Sequence, residues 1–191
     1  MSYLQKFQRE LTSFWEVNLT RNLAFADQWW DRFVQEWLIG EGEDPKWTSR
    51  VREAGQELAF RPGQTTFPLF EDTVECLTEL RAAGYRMIVI SNWDLTLDKV
   101  LSSVGIDRYF ERTFASLAYG VEKPEPGLFE IARSVVNLPA ERILHIGDNP
   151  VDDLQGAEAF GMQSRLLDRT GQTPGALRSL AEIPGWLASI G

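Results

Sequence analysis

The chain has 191 residues, 43% of them hydrophobic, with a formal net charge of −9. That length holds one domain, or one domain with a small insert, and that apolar fraction supports a real core. The acidic balance argues against a nucleic-acid footprint, which needs a basic face. A single cysteine, Cys76, excludes a disulfide framework and a cysteine-based zinc site.

From the N-terminus to about residue 60 the pattern is helical. Leu4, Phe7, Leu11, Phe14 and Trp15 recur at helical spacing. Phe25, Trp29, Phe33 and Trp37 stand every fourth residue, with Trp30, Val34 and Leu38 on an adjacent stripe. Large aromatics at this spacing read as the packing of a helix bundle before they read as a substrate surface. Gly40-Glu41-Gly42-Glu43-Asp44-Pro45 ends that helix, and a third is predicted near Lys46 to Phe60. Arg61-Pro62-Gly63-Gln64-Thr65-Thr66 is the strongest boundary signal, dividing residues 1–62 from 63–191.

Beyond it, helices and strands alternate. Helices are predicted near 71–83, 94–104, 125–136 and 151–160, and strands at 85–91, near 113–117, at 142–147 and near 163–167. This order argues for an α/β fold with a parallel sheet and helices on both faces. Residues 170–191 read as a loop and a final short helix interrupted by Pro184-Gly185. No apolar run reaches membrane-span length, and no basic-then-apolar leader is visible, so no membrane partner and a cytoplasmic location are expected. His145, the only histidine, sits inside a strand pattern and reads as a packed residue.

The richest stretch is Ile143-Leu144-His145-Ile146-Gly147-Asp148-Asn149-Pro150-Val151-Asp152-Asp153. An apolar strand ends in Gly-Asp, and two further aspartates open a helix. Carboxylates there lie at the carboxyl edge of a parallel sheet, where ligands bind. Clustered carboxylate oxygens suit Mg²⁺. Two other segments precede it in order: a strand ending in Ser91-Asn92, and Lys123 in Val121-Glu122-Lys123-Pro124. Together these resemble the fourth, second and third motifs of the haloacid dehalogenase superfamily of hydrolases. The resemblance is close over roughly residues 65–168, and the helical segment before it is similar to the cap of the same family.

The resemblance implies a three-layer, Rossmann-like α/β core with a helical cap. It implies that Asp148 ligates Mg²⁺ directly, that Asp153 acts through a metal-bound water, and that Asp152 is a further possible ligand. Ser91 would donate to a phosphoryl oxygen, Asn92 would shape the loop, and Lys123 would balance charge beside the nucleophile. Taken alone, Ser91 and Asn92 also read as turn residues, Lys123 as a solvated lysine, and Asp152 as a helix cap. The implied reaction is Mg²⁺-dependent hydrolysis of a small phosphorylated metabolite through an aspartyl-phosphate. Two alternatives stay open: 2-haloacid dehalogenation on the same scaffold, and a catalytically inactive binding protein.

The family's first motif, Asp-x-x-x-Thr after the first strand, has no counterpart here. Asp94-Leu95-Thr96 and Asp168-Arg169-Thr170 both fail its spacing. The family's first strand lies between those ending at Ser91 and Gly147, and its removal would leave a slot of about 10 Å. The chain is therefore expected to be a shortened form of a longer protein, inactive as written and poorly stable. The two flanking strands could instead close up and pair, or recruit a substitute strand.

Overall fold

A computed structural model describes residues 2–20, 22–62 and 67–190. Three helices come first: α1 (Tyr3–Leu19), α2 (Leu23–Gly40) and α3 (Thr48–Ala59). Asn22 starts α2, its side chain accepting from Ala24 N and Phe25 N. This is the usual way to satisfy amides that a helix start leaves without partners. The apolar stripes of α1 and α2 meet in one cluster, where Phe14, Trp29, Phe33, Val34 and Leu38 are buried and Phe7, Trp30 and Trp37 pack around them. Trp29 and Phe33 stack with centroids 5.2 Å apart. Phe25 departs from the expected stripe. It lies in the first turn of α2 and is 50% exposed. The side chains of Leu4, Leu11 and Trp15, and residues Gly63–Thr66 of the expected boundary, lie outside the described residues.

The α/β part follows as α4 (Thr73–Ala82), β1 (Ile88–Ser91), α5 (Leu97–Ser103), β2 (Arg112–Ala115), α6 (Ser116–Tyr119), α7 (Pro126–Val136) and β3 (Leu144–Gly147). A π-helical stretch, Pro150–Gln155, runs into α8 (Gly156–Phe160), then β4 (Gln163–Leu166) and α9 (Glu182–Ile190) close the chain. Gly84, at φ +83, turns the chain from α4 toward β1, a conformation that an L side chain resists. β1 is shorter than expected because Tyr85–Met87 lie outside its ladder, and Tyr85 is exposed. Pro184-Gly185 does not interrupt the last helix. Pro184 falls in the first turn of α9, where its missing N–H would have no intrahelical partner anyway.

The described strands form two parallel pairs instead of one continuous sheet. β1 pairs with β2, Ile88 opposite Arg112 through Ser91 opposite Ala115. β3 pairs with β4, Leu144 opposite Gln163 through Gly147 opposite Leu166. No ladder joins β1 to β3 among the described residues. Common helices bridge them. Met87 and Ile146 pack on one face against Cys76 and Leu80 of α4, Leu177, and Ile183 of α9. On the other face Ile90 and Ile143 pack against Phe129 of α7, Ala157 of α8 and Met162.

The helical bundle rests on this part near the carboxyl end of β1. Phe60 stacks on Phe67, and Phe67 meets Trp93 edge-on at 6.3 Å. Lys99 of α5 donates to Gln56 of α3 at 2.6 Å. No described helix is long and apolar enough to cross a membrane.

Candidate active site

The carboxyl ends of β1 and β3 bring Asn92, Lys123, Asp152 and Asp153 into one hydrogen-bonded group. Asn92 follows β1 and grips the Lys123 loop twice. Its Nδ2 donates to Lys123 O, and its Oδ1 accepts from Lys123 N, both at 2.8 Å. This two-point clasp fixes the loop to the strand end. It also makes Asn92 a positioning residue for Lys123.

The Lys123 side chain is buried and turns inward. Its ammonium pairs with the Asp153 carboxylate and lies 3.4 Å from Ile90 O. The reading of Lys123 as a solvated loop residue is thereby excluded. Asp153 is buried as well, and both its oxygens are engaged. Oδ1 meets Lys123 Nζ and, at 2.9 Å, His145 Nε2. Oδ2 accepts from Asn149 N at 3.0 Å. Burial pushes the Asp153 carboxyl up, but the His145 and Lys123 hydrogen bonds, the Lys123 charge and Asn149 N outweigh it and hold it well below the usual carboxylate range. Gly147 makes room for this carboxylate, since a Cβ there would overlap it.

Asp152 lies half-buried on the other side of the group. Its Oδ2 accepts from Asn149 Nδ2 at 3.0 Å and from Asn92 Nδ2 at 3.4 Å. Burial, and then the neighbouring Asp153 charge, raises its carboxyl above the ordinary value. Asp152 is not the helix cap. Asn149 is, accepting from Val151 N and Asp152 N, with Pro150 at the first helical position. Asp148 and Ser91 stand apart from this network. Asp148 is exposed, Ser91 is half-buried, and neither side chain has a hydrogen-bond partner among the described residues.

Two participants go beyond the sequence expectation. His145 does pack, edge-on to Phe129 at 5.4 Å, but its ring nitrogen also reaches Asp153. Asn149, not Asp152, caps the helical stretch, and Asn-Pro ahead of a helix is a start signal of its own. Gly156 completes the group's floor. A Cβ there would meet Pro124 Cα at 3.0 Å and the Phe129 ring at 3.1 Å, so a larger residue would have to push back the Lys123 loop or Phe129.

No three of His, Cys, Asp and Glu come together closely enough among the described residues to enclose a metal ion. A closed protein cage of the zinc type does not fit. Mg²⁺ asks for less, one or two carboxylates and its own waters. Among the described residues Asp148 has no hydrogen-bond partner, and Asp152 is crowded by Asp153.

The family model for haloacid dehalogenase-like hydrolases matches residues 2–161. The chain belongs to that family. It is 28% identical over 165 residues to the human haloacid dehalogenase-like hydrolase domain-containing protein 3, covering 86% of this chain and 65% of that protein. It is 29% identical to a phosphoserine phosphatase of Thermus thermophilus, covering 76% of this chain and 57% of that protein. Among solved structures, a 2-haloacid dehalogenase of Pseudomonas syringae pv. tomato superposes with a TM-score of 0.69 at 21% identity, covering 99% of this chain and 80% of that one. That likeness establishes the hydrolase fold with its helical cap. The chain spans only about 65% or less of the length of these curated relatives.

Proposed function

We propose that the chain carries the phosphate- and metal-handling half of a Mg²⁺-dependent phosphatase acting on a small phosphomonoester, with residues 1–62 as its cap and 63–191 as its core. The convergence of Asn92, Lys123 and Asp153 at one strand edge carries this reading. A transferred phosphoryl group spreads negative charge over its oxygens, so fixed donors and cations do much of the work. Lys123 supplies the cation, and Asn92 and Asp153 fix where its ammonium points. Ser91, whose hydroxyl has no described protein partner, donates to a phosphoryl oxygen. Asp148 would hold Mg²⁺, with Asp152 as a further ligand and Asp153, whose oxygens are already engaged by Lys123, His145 and Asn149, contributing through a water. The metal supplies charge stabilisation at phosphorus when bound.

The attacking carboxylate of an aspartyl-phosphate route is not assigned to any residue here. Asp153 is saturated by Lys123, His145 and Asn149, and Asp152 is turned toward Asn92 and Asn149. The 191 residues by themselves are therefore inactive. Purified chain assayed with p-nitrophenyl phosphate and Mg²⁺ is expected to give no enzymatic turnover. Metal-dependent turnover that disappears in Asp148→Ala would overturn this point. The metal half of the reading is tested separately. Mg²⁺ should raise the melting temperature, since a ligand that binds only the folded state stabilises it. A rise that survives in Asp148→Asn would remove Asp148 as ligand. The dehalogenase alternative needs no metal, and the crowding of Asp152 against Asp153 counts against it.

A further inference from the structure

The Lys123 ammonium has three N–H donors. One meets Asp153 Oδ1, one lies 3.4 Å from Ile90 O, and none of the described residues takes the third. Two fixed acceptors leave an ammonium no freedom to turn, so they decide where the third N–H points. Ile90 O belongs to the main chain of β1 and is held by the strand. Asp153 Oδ1 sits on a side chain that can rotate, so its position needs holders of its own. There are two. Asn149 N fixes Oδ2 at 3.0 Å, and His145 Nε2 fixes Oδ1 at 2.9 Å. The side chains of Lys123, Asp153 and His145 are at most 11% exposed, which leaves water little part in these bonds. The direction of the His145 bond follows from its partner. Asp153 is ionised, its carboxyl being held well below the usual range, and a carboxylate only accepts. Nε2 therefore carries the proton, while Nδ1 has no hydrogen-bond partner among the described residues.

We propose that His145 is a positioning residue: its Nε2–H holds the Asp153 carboxylate and, through it, aims the free N–H of Lys123. The ring is set by β3 and by the fully buried Phe129, edge-on to it at 5.4 Å. A residue of a strand thus fixes a side chain on a loop without touching any reacting atom. Asn92 holds the Lys123 main chain, and His145 holds the far end of its side chain. Packing alone does not ask for a nitrogen. A phenyl ring in this place would keep the edge-on contact with Phe129 and lose the donor. What the aimed N–H meets, a phosphoryl oxygen, rests on the phosphatase reading above; the aiming does not.

NMR on the whole, untagged chain tests it, and because His145 is the only histidine its ring signals need no assignment. At mildly alkaline pH the parent should carry the ring proton on Nε2. A bare Nε2 would overturn the proposal without any variant. Two variants then separate aiming from packing. His145→Gln keeps an amide N–H at the reach of Nε2 and loses the ring, whereas His145→Phe keeps a ring and loses the donor. The isotope-labelled ammonium of Lys123 is identified by its loss in Lys123→Met. Its exchange with water should be about tenfold faster in His145→Phe and within about twofold of the parent in His145→Gln. Equal rates in the two variants, or the reverse order, would overturn the proposal. So would a parent ammonium that exchanges too fast to be seen, since its pair would then not be fixed. Inorganic phosphate added to the parent tests the phosphatase reading separately. A Lys123 signal that phosphate never shifts would remove that reading, while the order of the two variants still decides whether His145 aims Lys123.

Discussion

The helical bundle and the α/β part bury their aromatic and aliphatic residues to different ends. In the bundle, one continuous cluster runs between α1 and α2, and Phe33 and Val34 are fully buried within it. In the α/β part the buried residues fall into three separate clusters, and the strands between them are half-exposed. The bundle's stability is thus local to its own sequence. The α/β part depends on helices clamping two strand pairs that share no ladder among the described residues.

The largest test of that contrast compares Phe33→Ala with Ile146→Ala. Phe33 touches Tyr3, Phe7, Trp29 and Trp30, all within the bundle. Its truncation should cost about 3–5 kcal/mol, the usual range for a fully buried phenylalanine. Ile146 is already partly in water. Its truncation should cost less than about 2 kcal/mol, below the range for a fully buried isoleucine. Urea unfolding of both variants checks this. Equal losses would mean that the inner strands are as well packed as the bundle, and the contrast would fail.

Acid provides a smaller perturbation directed at the α/β part. Asp72 takes two hydrogen bonds from Arg169, one from Ser179 Oγ and one from Leu180 N, tying α4 to the segment before α9. The Arg169 contacts hold its carboxyl well below the usual range against the opposing effect of burial. Asp153 is likewise depressed. A carboxyl depressed in the folded state binds protons more readily once unfolded. Its contribution is full above the unfolded value of about 3.9 and drains away as pH falls toward the folded value. Stability should therefore drop below about pH 4, and less steeply in Asp72→Asn than in the parent. Parallel slopes for the two proteins in acid urea titrations would show that the Asp72 clasp contributes nothing.

Much of this was legible in the sequence, for identifiable reasons. Helices and strands alternate after residue 67 in the expected order, because hydrophobic period is a local property. The hydrogen bonds that join Asn92 to Lys123 and Asp152, and Lys123 to Asp153, lie near the ends of β1 and β3, where the motif order had gathered these residues, while Ser91 and Asp148 stay outside that network. What the pattern could not carry was pairing. Nothing local distinguishes a strand with two ladders from one with a single ladder. The Arg169–Asp72 contact joins residues 97 positions apart. Phe25 and Pro184 depart from the sequence expectation because both lie in a first helical turn, where position outweighs residue type. His145 was read as a packing residue because its polar partner comes from the helical turn beyond the strand.

The smallest expected effect has the opposite sign and sharpens the comparison from the site outward. Asp152 is the one carboxyl of the group whose affinity for a proton is raised, by burial first and by Asp153 next. A raised carboxyl binds protons more readily folded than unfolded, so stability is lost as pH rises through the carboxylate range. Asp152→Asn removes that penalty. Its new amide oxygen can still accept from Asn92 Nδ2 and Asn149 Nδ2, the two donors that the carboxylate now serves. The variant should be slightly more stable than the parent at pH 7 in the absence of metal, and the gain should shrink as pH falls and Asp152 becomes protonated in the parent. With Mg²⁺ present the difference should narrow or reverse, because the cation stabilises the charged group that the variant lacks. Urea melts at pH 7, with Mg²⁺ and with a chelator, read both effects. A variant less stable than the parent in chelator would show that the Asp152 charge holds the group together, and that no part of the site is under electrostatic strain.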